Sequence, residues 1–348
     1  MSRRRIRPIA TQRRRRALAA LTAGLAAVAL AACGDDDTTG AATATGASGP
    51  VSITDHTGTL VKLDAPAARV VAADWTNAEI ALALGVAPIG VGDLETYRRW
   101  VGAGADMPSS TAPIGERFEP SLEKIAALKP DVILQDAESA KLARTKLEAL
   151  APTAGLDSYA ISKASPKTEW EAMRDETLKV GELLGKEAEA TALLKQTDAT
   201  IAAQAKRIAD AGHAGESVVI AQTSIEGKPS TRLFDDGAQS VEVVRRLGLK
   251  NGFRGKHVDY SNTTVGLEGL RQIGDADWLL VLAQPNNRKD ELNAFSAWKN
   301  NPVYKQLAVV KGGHVRNIGA DNWTWGGPLS MARLAEKIAD ALTASEPG

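Results

Sequence analysis

The chain has 348 residues, with 42 Lys and Arg against 42 Asp and Glu, for a formal net charge of zero. Eight arginines and no acids fall in residues 1–32, so residues 33–348 carry 34 basic against 42 acidic side chains, a net −8 that argues against a nucleic-acid surface or an anionic-lipid coat. One Cys excludes an intrachain disulfide, and the 316 residues after position 32 are more than one core usually holds, so two lobes are expected.

Arg3, Arg4, Arg5, Arg7 and Arg13 to Arg16 precede Ala17 to Ala32, a run of Ala, Leu, Val, Gly and Thr. This has the charge order of a signal peptide and is too short for a comfortable membrane span. Leu30-Ala31-Ala32-Cys33 at its end resembles a bacterial lipobox. That resemblance implies a signal peptide over 1–32 and lipidation at Cys33, with the mature protein tethered on the extracytoplasmic face of the cell membrane. The arginine pairs match a twin-arginine signal poorly, so the export route stays open. Residues 33–50 are rich in Gly, Ala, Thr and Asp and read as a flexible tether.

A hairpin is expected over Val51–Leu63, turning at His56-Thr57-Gly58. Short apolar strands follow at 70–72, 88–91 and 132–134, with helical patterns at 78–84 and 122–128 between them. Strand alternating with helix predicts a parallel sheet within an N-terminal α/β lobe over 51–165. Trp170, Met173, Leu178, Leu183 and Leu184 then recur at helical spacing, which predicts a long bridging helix within 166–185. A second long helix is expected from about Lys186 to Ala209. It opens a C-terminal α/β lobe over 186–348, with strands at 218–221, 278–282 and 315–318 and a last helix over about 328–342. The two halves echo each other: Glu79-Ile80 with Leu84-Gly85 recurs as Glu242-Val243 with Leu247-Gly248. Leu122-Glu123 likewise recurs as Leu267-Glu268, and each second motif leads to an Asp before a strand, Asp131 and Asp277. The predicted fold class is α/β, with two similar lobes bridged by a long helix.

No G-x-S-x-G, G-x-G-x-x-G or P-loop is present, and His56, His213, His257 and His314 show no metal-ligand spacing. No catalytic residue, protein-held metal or cofactor is nominated. Aromatic residues are scarce but fall after strands: Trp75, Tyr97, Trp100, Trp323 and Trp325. In open parallel sheets the ligand crevice lies beyond the carboxyl ends of the strands, so these rings are candidates to line it. A single Trp filling a core gap is the alternative in each case.

Ala73-Asp74-Trp75 with Glu79 and Gly85, Tyr97-Arg98-Arg99-Trp100, Gly115 to Glu123, Thr264 to Glu268, and Trp323 to Ser330 together resemble the binding proteins of iron-siderophore ABC importers, above all the ferric-hydroxamate type. The resemblance covers most of residues 51–345 and rests on the order of the motifs. It implies the helical-backbone periplasmic-binding-protein fold and no enzymatic activity. The implied ligand is a ferric siderophore and the implied partner an ABC permease, with no nucleic acid and a monomeric state expected. Carried over residue by residue, Arg117 matches the arginine that hydrogen-bonds the iron-bound hydroxamate oxygens and Trp100 matches a pocket aromatic, while Trp75 and Tyr97 are nominated as ligand-binding from their places after strands. Tyr260 stands where the hydroxamate type has Trp, and Asn262 where it has a small hydroxyl residue. Trp323 and Trp325 fall on an aromatic pair whose second member is usually Tyr. The family's Tyr near Ser139 is absent. A surface ion pair is the alternative for Arg117. Glu123 and Glu268, one per half, match the permease-docking glutamates, although a carboxylate in a first helical turn also suits the helix dipole. Two rivals remain: a corrinoid or haem carrier on the same fold, with Tyr260 the one fair axial ligand, and a surface-anchored siderophore-processing enzyme.

Overall fold

The computed structural model describes residues 49–102, 104–157, 159, 168–224, 230–255, 259–283 and 298–344. The leader, Cys33 and all but the end of the tether lie outside the described residues, as does the expected helix start at Pro166. Thr45–Gly348 form one unit.

β1 (Val51–Thr54) and β2 (Leu60–Leu63) pair antiparallel as the expected hairpin, with Val51 opposite Leu63. The strands β3 (Val70–Ala72), β4 (Gly90–Val91), β5 (Ala112–Pro113), β6 (Val132–Asp136) and β7 (Thr153–Leu156) form a wholly parallel sheet in the order 5-4-3-6-7. Their runs are apolar because helices cover both faces. These helices are α1 (Trp75–Ala83), α2 (Leu94–Trp100), α3 (Leu122–Leu128) and α4 (Ala137–Glu148). The strand order reverses between β3 and β6, which makes their carboxyl ends the switch point where a ligand crevice forms. Asp74 and Asp136 sit there, each the N-cap of the helix that follows, accepting from Thr76 N and Ser139 N respectively.

α5 (Glu169–Leu184) opens with a Thr168–Glu171 capping box and ends at Gly185, whose φ of 63° is the left-handed cap glycine favours. It buries Trp170, Met173, Val180, Leu183 and Leu184 on one face, as the helical period requires. α6 (Glu187–Asp210) follows. The second half is a mixed sheet, in the order β11-β9-β8-β12-β13 with β10 also on β8. Its strands are β8 (Ser217–Ser224), β9 (Ser230–Phe234), β10 (Lys250–Asn251), β11 (Asn262–Val265), β12 (Trp278–Leu282) and β13 (Val315–Asn317). β9 and β11 run antiparallel to their neighbours, so this half, unlike the first, is not purely parallel. α7 (Gln239–Arg246) carries the Glu242 echo, whereas Leu267–Ile273 is a 3-10 helix and not the α-turns of its partner α3.

The echoed aspartates do the same job in both halves. Asp131 Oδ2 accepts from Ala68 N and Arg69 N, beside the start of β3, at 3.0 and 2.8 Å. Asp277 Oδ2 accepts from Ser217 N and Oγ at the start of β8, at 2.7 and 2.8 Å. The echoed glutamates do not. Glu242 is half-buried and pairs with Arg245 and Arg246, while Glu79 is fully buried. Its carboxylate accepts from Ser330 N at 2.8 Å and from Ser330 Oγ at 2.6 Å, capping the C-terminal helix Pro328–Thr343. Gly326 is required beside it, because a Cβ there would collide with Ser330 and lie 2.8 Å from Glu79 Oε2. The C-terminal helix lies along α6 and also touches α1 and α5. One apolar cluster therefore runs through both halves, from Val70 and Ile80 through Met173 and Ile201 to Ile220 and Leu334.

Burial raises the Glu79 carboxyl above the usual range, opposed by the Ser330 hydroxyl and the N–H groups of Ser330, Gly327 and Leu329. The folded state thus holds this proton more tightly than the unfolded state, and its contribution to stability declines as pH rises through the folded value. Glu79→Ala strips the helix terminus of its acceptor and is expected to lower unfolding free energy by about 2–4 kcal/mol, and Glu79→Gln by less. Urea unfolding of both variants checks the order, and an alanine variant as stable as wild type refutes the cap.

Candidate functional site

The segment after β5 places Arg117. Its backbone N–H donates to Asp93 Oδ2 at 3.0 Å, and its carbonyl accepts from Gln135 Nε2 at 3.2 Å, fixing the residue over the ends of β4 and β6. The side chain is held as firmly. Arg117 Nη1 donates to the Tyr159 hydroxyl at 3.1 Å, and that hydroxyl donates to Asp74 Oδ2 at 2.7 Å. The direct Arg117–Asp74 separation is 3.7 Å, with Asp74 fully buried. Aromatic faces complete the seat: the guanidinium carbon lies 4.4 Å from the Trp75 ring centroid, 4.5 Å from Phe118 and 5.2 Å from Trp323.

Burial opposes the charge on Arg117, but Tyr159, Asp74, Asp136 and Asp93 outweigh it and raise its pKa, so it stays a cation. Tyr159 is pushed well above the ordinary phenol range by burial and then by Asp74, so it stays a neutral relay that accepts from Arg117 and donates to Asp74. Asp136 is raised, first by burial and then by Asp74, against the hydrogen bonds from Ser139.

Above this seat lies a cavity of about 400 Å³, lined by Arg117, Phe118 and Tyr159 from the first half and Arg232, Tyr260, Asn262, Thr264, Trp323 and Trp325 from the second. The rings meet edge to face across it: Tyr159–Tyr260 at 5.6 Å, Tyr159–Trp325 at 6.4 Å and Tyr260–Trp325 at 6.5 Å. Arg232, on β9, donates to Gln222 Oε1 at 3.1 Å and stands 5.7 Å from the Trp325 ring. No carboxylate is among the described lining residues. Nor do three or more His, Cys, Asp or Glu side chains converge as a metal site among the described residues.

Five of the eight residues nominated from sequence come together here: Arg117, Tyr260, Asn262, Trp323 and Trp325. Three do not line the cavity. Trp75 is buried beneath Arg117, with its indole N–H turned to Gly92 O at 2.9 Å, so it supports the guanidinium from below. Tyr97 is a correction: it is 1% exposed, and its hydroxyl donates to Ala105 O at 2.9 Å. Helical spacing explains this, because Leu94, Tyr97 and Val101 share the face of α2 that meets the core. Trp100 is likewise outside the cavity, half-buried against that core at the end of α2.

Sequence reasoning missed Phe118, Tyr159, Arg232 and Thr264. Phe118 and Thr264 lay inside motifs already singled out. Tyr159 provides a hydroxyl in the half where the tyrosine near Ser139 is lacking, and nothing in its local pattern marks it. Arg232 sits on a strand whose Ser-Thr-Arg start hides its alternation. Glu123 and Glu268 are both exposed, each the second residue of its helix, and Glu268 is 3.6 Å from Arg271.

Known proteins resemble the chain over most of its length. The Fe(3+)-citrate-binding protein YfmC of Bacillus subtilis is 28% identical over 263 residues, covering 74% of each chain. The iron(3+)-hydroxamate-binding protein FhuD of Escherichia coli is 24% identical over 274 residues, covering 79% of this chain and 86% of the relative. Among solved structures, the Fe3+–Desferal-bound siderophore-binding protein FhuD of Vibrio cholerae superposes with a TM-score of 0.70 at 26% identity, covering 80% of this chain and 99% of that one. A family model described as periplasmic binding protein matches residues 70–322, and the chain belongs to that family.

Proposed function

We propose that this protein captures a ferric siderophore outside the cytoplasm and delivers it to an ABC importer permease, held at the membrane by a lipid on Cys33. The reading is of a binding protein, not an enzyme. The observation that carries it is the Arg117–Tyr159–Asp74 relay facing an aromatic cavity shared by both halves. A guanidinium offers several N–H donors in a fixed plane, which suits the clustered oxygens around a chelated iron. A chelate that already fills the iron's coordination sphere needs no protein ligand, and the rings can take its apolar surface. The cavity volume falls in the range of small-molecule sites.

Arg117 and the aromatic pair favour a hydroxamate. Arg232 supports a second reading, a ferric chelate with carboxylate groups, because it adds a guanidinium from the facing wall. The exposed Glu123 and Glu268 supply one carboxylate on each half for docking to basic residues of the permease.

Tryptophan fluorescence titration of residues 33–348 with ferrichrome, Fe3+–Desferal, ferric citrate, cobalamin and haem separates these readings. Submicromolar quenching by the hydroxamates supports the first and by ferric citrate the second, while no response to any iron chelate overturns both. Arg117→Ala is expected to weaken binding by about 1.5–3 kcal/mol, and unchanged affinity dismisses its role. Charge reversal at Glu123 and Glu268 together is expected to abolish uptake by cells while leaving chelate affinity intact. Normal uptake by that variant removes the docking assignment.

A further inference from the structure

Glu169 stands outside the cavity, at the first position of the bridging helix α5, and is 3% exposed. Its Oε2 accepts from the backbone N–H of Gln239, the first residue of α7, at 2.9 Å, and the Ser261 side chain lies beside the same carboxyl group. Each partner leads directly to a cavity aromatic. Gln239 Nε2 donates to Gly326 O at 2.6 Å, and Gly326 follows Trp325. Ser261 follows Tyr260.

The Tyr260–Ser261 turn needs such a holder. Tyr260 has a φ of 63° and Ser261 a φ of 47°, left-handed backbone that is costly for residues with a Cβ and persists only where surroundings impose it. Asp235 N bonds Ser261 O at 2.9 Å, and Asn262 Nδ2 bonds Tyr260 O at 2.9 Å, but both of these act on the backbone. Glu169 meets the turn at the Ser261 side chain, from another element. Tyr260 itself is 44% exposed, with its ring edge-on to Tyr159 and Trp325.

We propose that Glu169 is the positioning residue for the second half's aromatic wall, locking the Tyr260–Ser261 turn and the Trp325–Gly326 segment to the bridging helix. The proposal rests on the cavity being the ligand site. The charged groups that face Glu169 are Asp235, at the end of β9, and Asp157, beyond β7; both are acids. Burial pushes Glu169 up to about 8, opposed by the hydrogen bonds from Gln239 and Ser261 and reinforced by Asp235 and Asp157. Its Oε1 is buried with no hydrogen-bond partner. The carboxyl is therefore protonated at neutral pH, and ionising it places a negative charge in a dry site beside two other acids. The lock holds below that value and loosens as pH rises through it.

Amide hydrogen exchange on the ligand-free protein tests the lock without any assumption about the ligand. In wild type, amides of 260–262 and 326 are expected to lose protection, relative to Glu169→Gln at the same pH, between about pH 6 and about pH 9. The glutamine keeps the acceptor oxygen and cannot ionise, so its protection and its affinity for Fe3+–Desferal should be flat over that range. Glu169→Ala should expose those amides at every pH and weaken Fe3+–Desferal binding at least about tenfold. Near-ultraviolet circular dichroism shows which variants are folded, and should the alanine variant not fold, the glutamine comparison alone decides. Identical exchange profiles for wild type and Glu169→Gln overturn the proposal. Loss of the pH effect in Glu169→Gln with no chelate bound by any variant leaves the lock standing and removes the ligand reading instead.

Discussion

The arrangement of the two halves depends on one carboxylate capping one helix. Glu79 comes from the first helix of the first half and is fully buried, yet it meets the N-terminus of the last helix of the chain. A helix start carries unpaired N–H donors, which are expensive to bury without an acceptor. Glu79 offers one, and Thr76, one turn earlier, donates to Trp325 O at 2.7 Å. The two bonds bracket the Trp325-Gly326-Gly327 turn. The same contact that joins the halves thus also sets the floor of the cavity.

The cavity itself is built on charge held in place. Arg117 could fold down onto Asp74 and neutralise it, but Tyr159 stands between them, and the direct separation stays at 3.7 Å. The Arg–Tyr–Asp relay satisfies the buried acid while the guanidinium remains against the rings at the cavity edge. Trp75 and Phe118 fix the plane of the guanidinium. On the proposed reading, a ligand meets donors whose geometry is set before it arrives, which reduces the ordering cost of binding.

Much of this was legible in the sequence where one physical rule dominates. Strands covered on both faces are continuous apolar runs, so β3, β6, β8 and β12 stood out. The bridging helix showed its 3.6 period. Where two rules compete, the sequence is silent. An aromatic after a strand looks the same whether the next turn aims it at the crevice, as with Trp323, or into the core, as with Tyr97. The strands β9 and β11 are short, polar and antiparallel, so neither hydrophobic length nor strand–helix alternation reveals them. With them go Arg232 and Thr264. Glu79 and Glu242 hold matching places in the echo but differ in burial, a distinction made by tertiary neighbours and invisible to pattern.

The cap on the last helix also has a temporal meaning. Asp131 and Asp277 each latch a strand about sixty positions back within their own half, at separations of 62 and 60 residues. Glu79 must wait for a partner 251 residues downstream. Two of the cavity's indoles, Trp323 and Trp325, arrive only just before that partner does. A chain still emerging during synthesis has no formed cavity, and any truncation short of the final helix leaves one half without its mate.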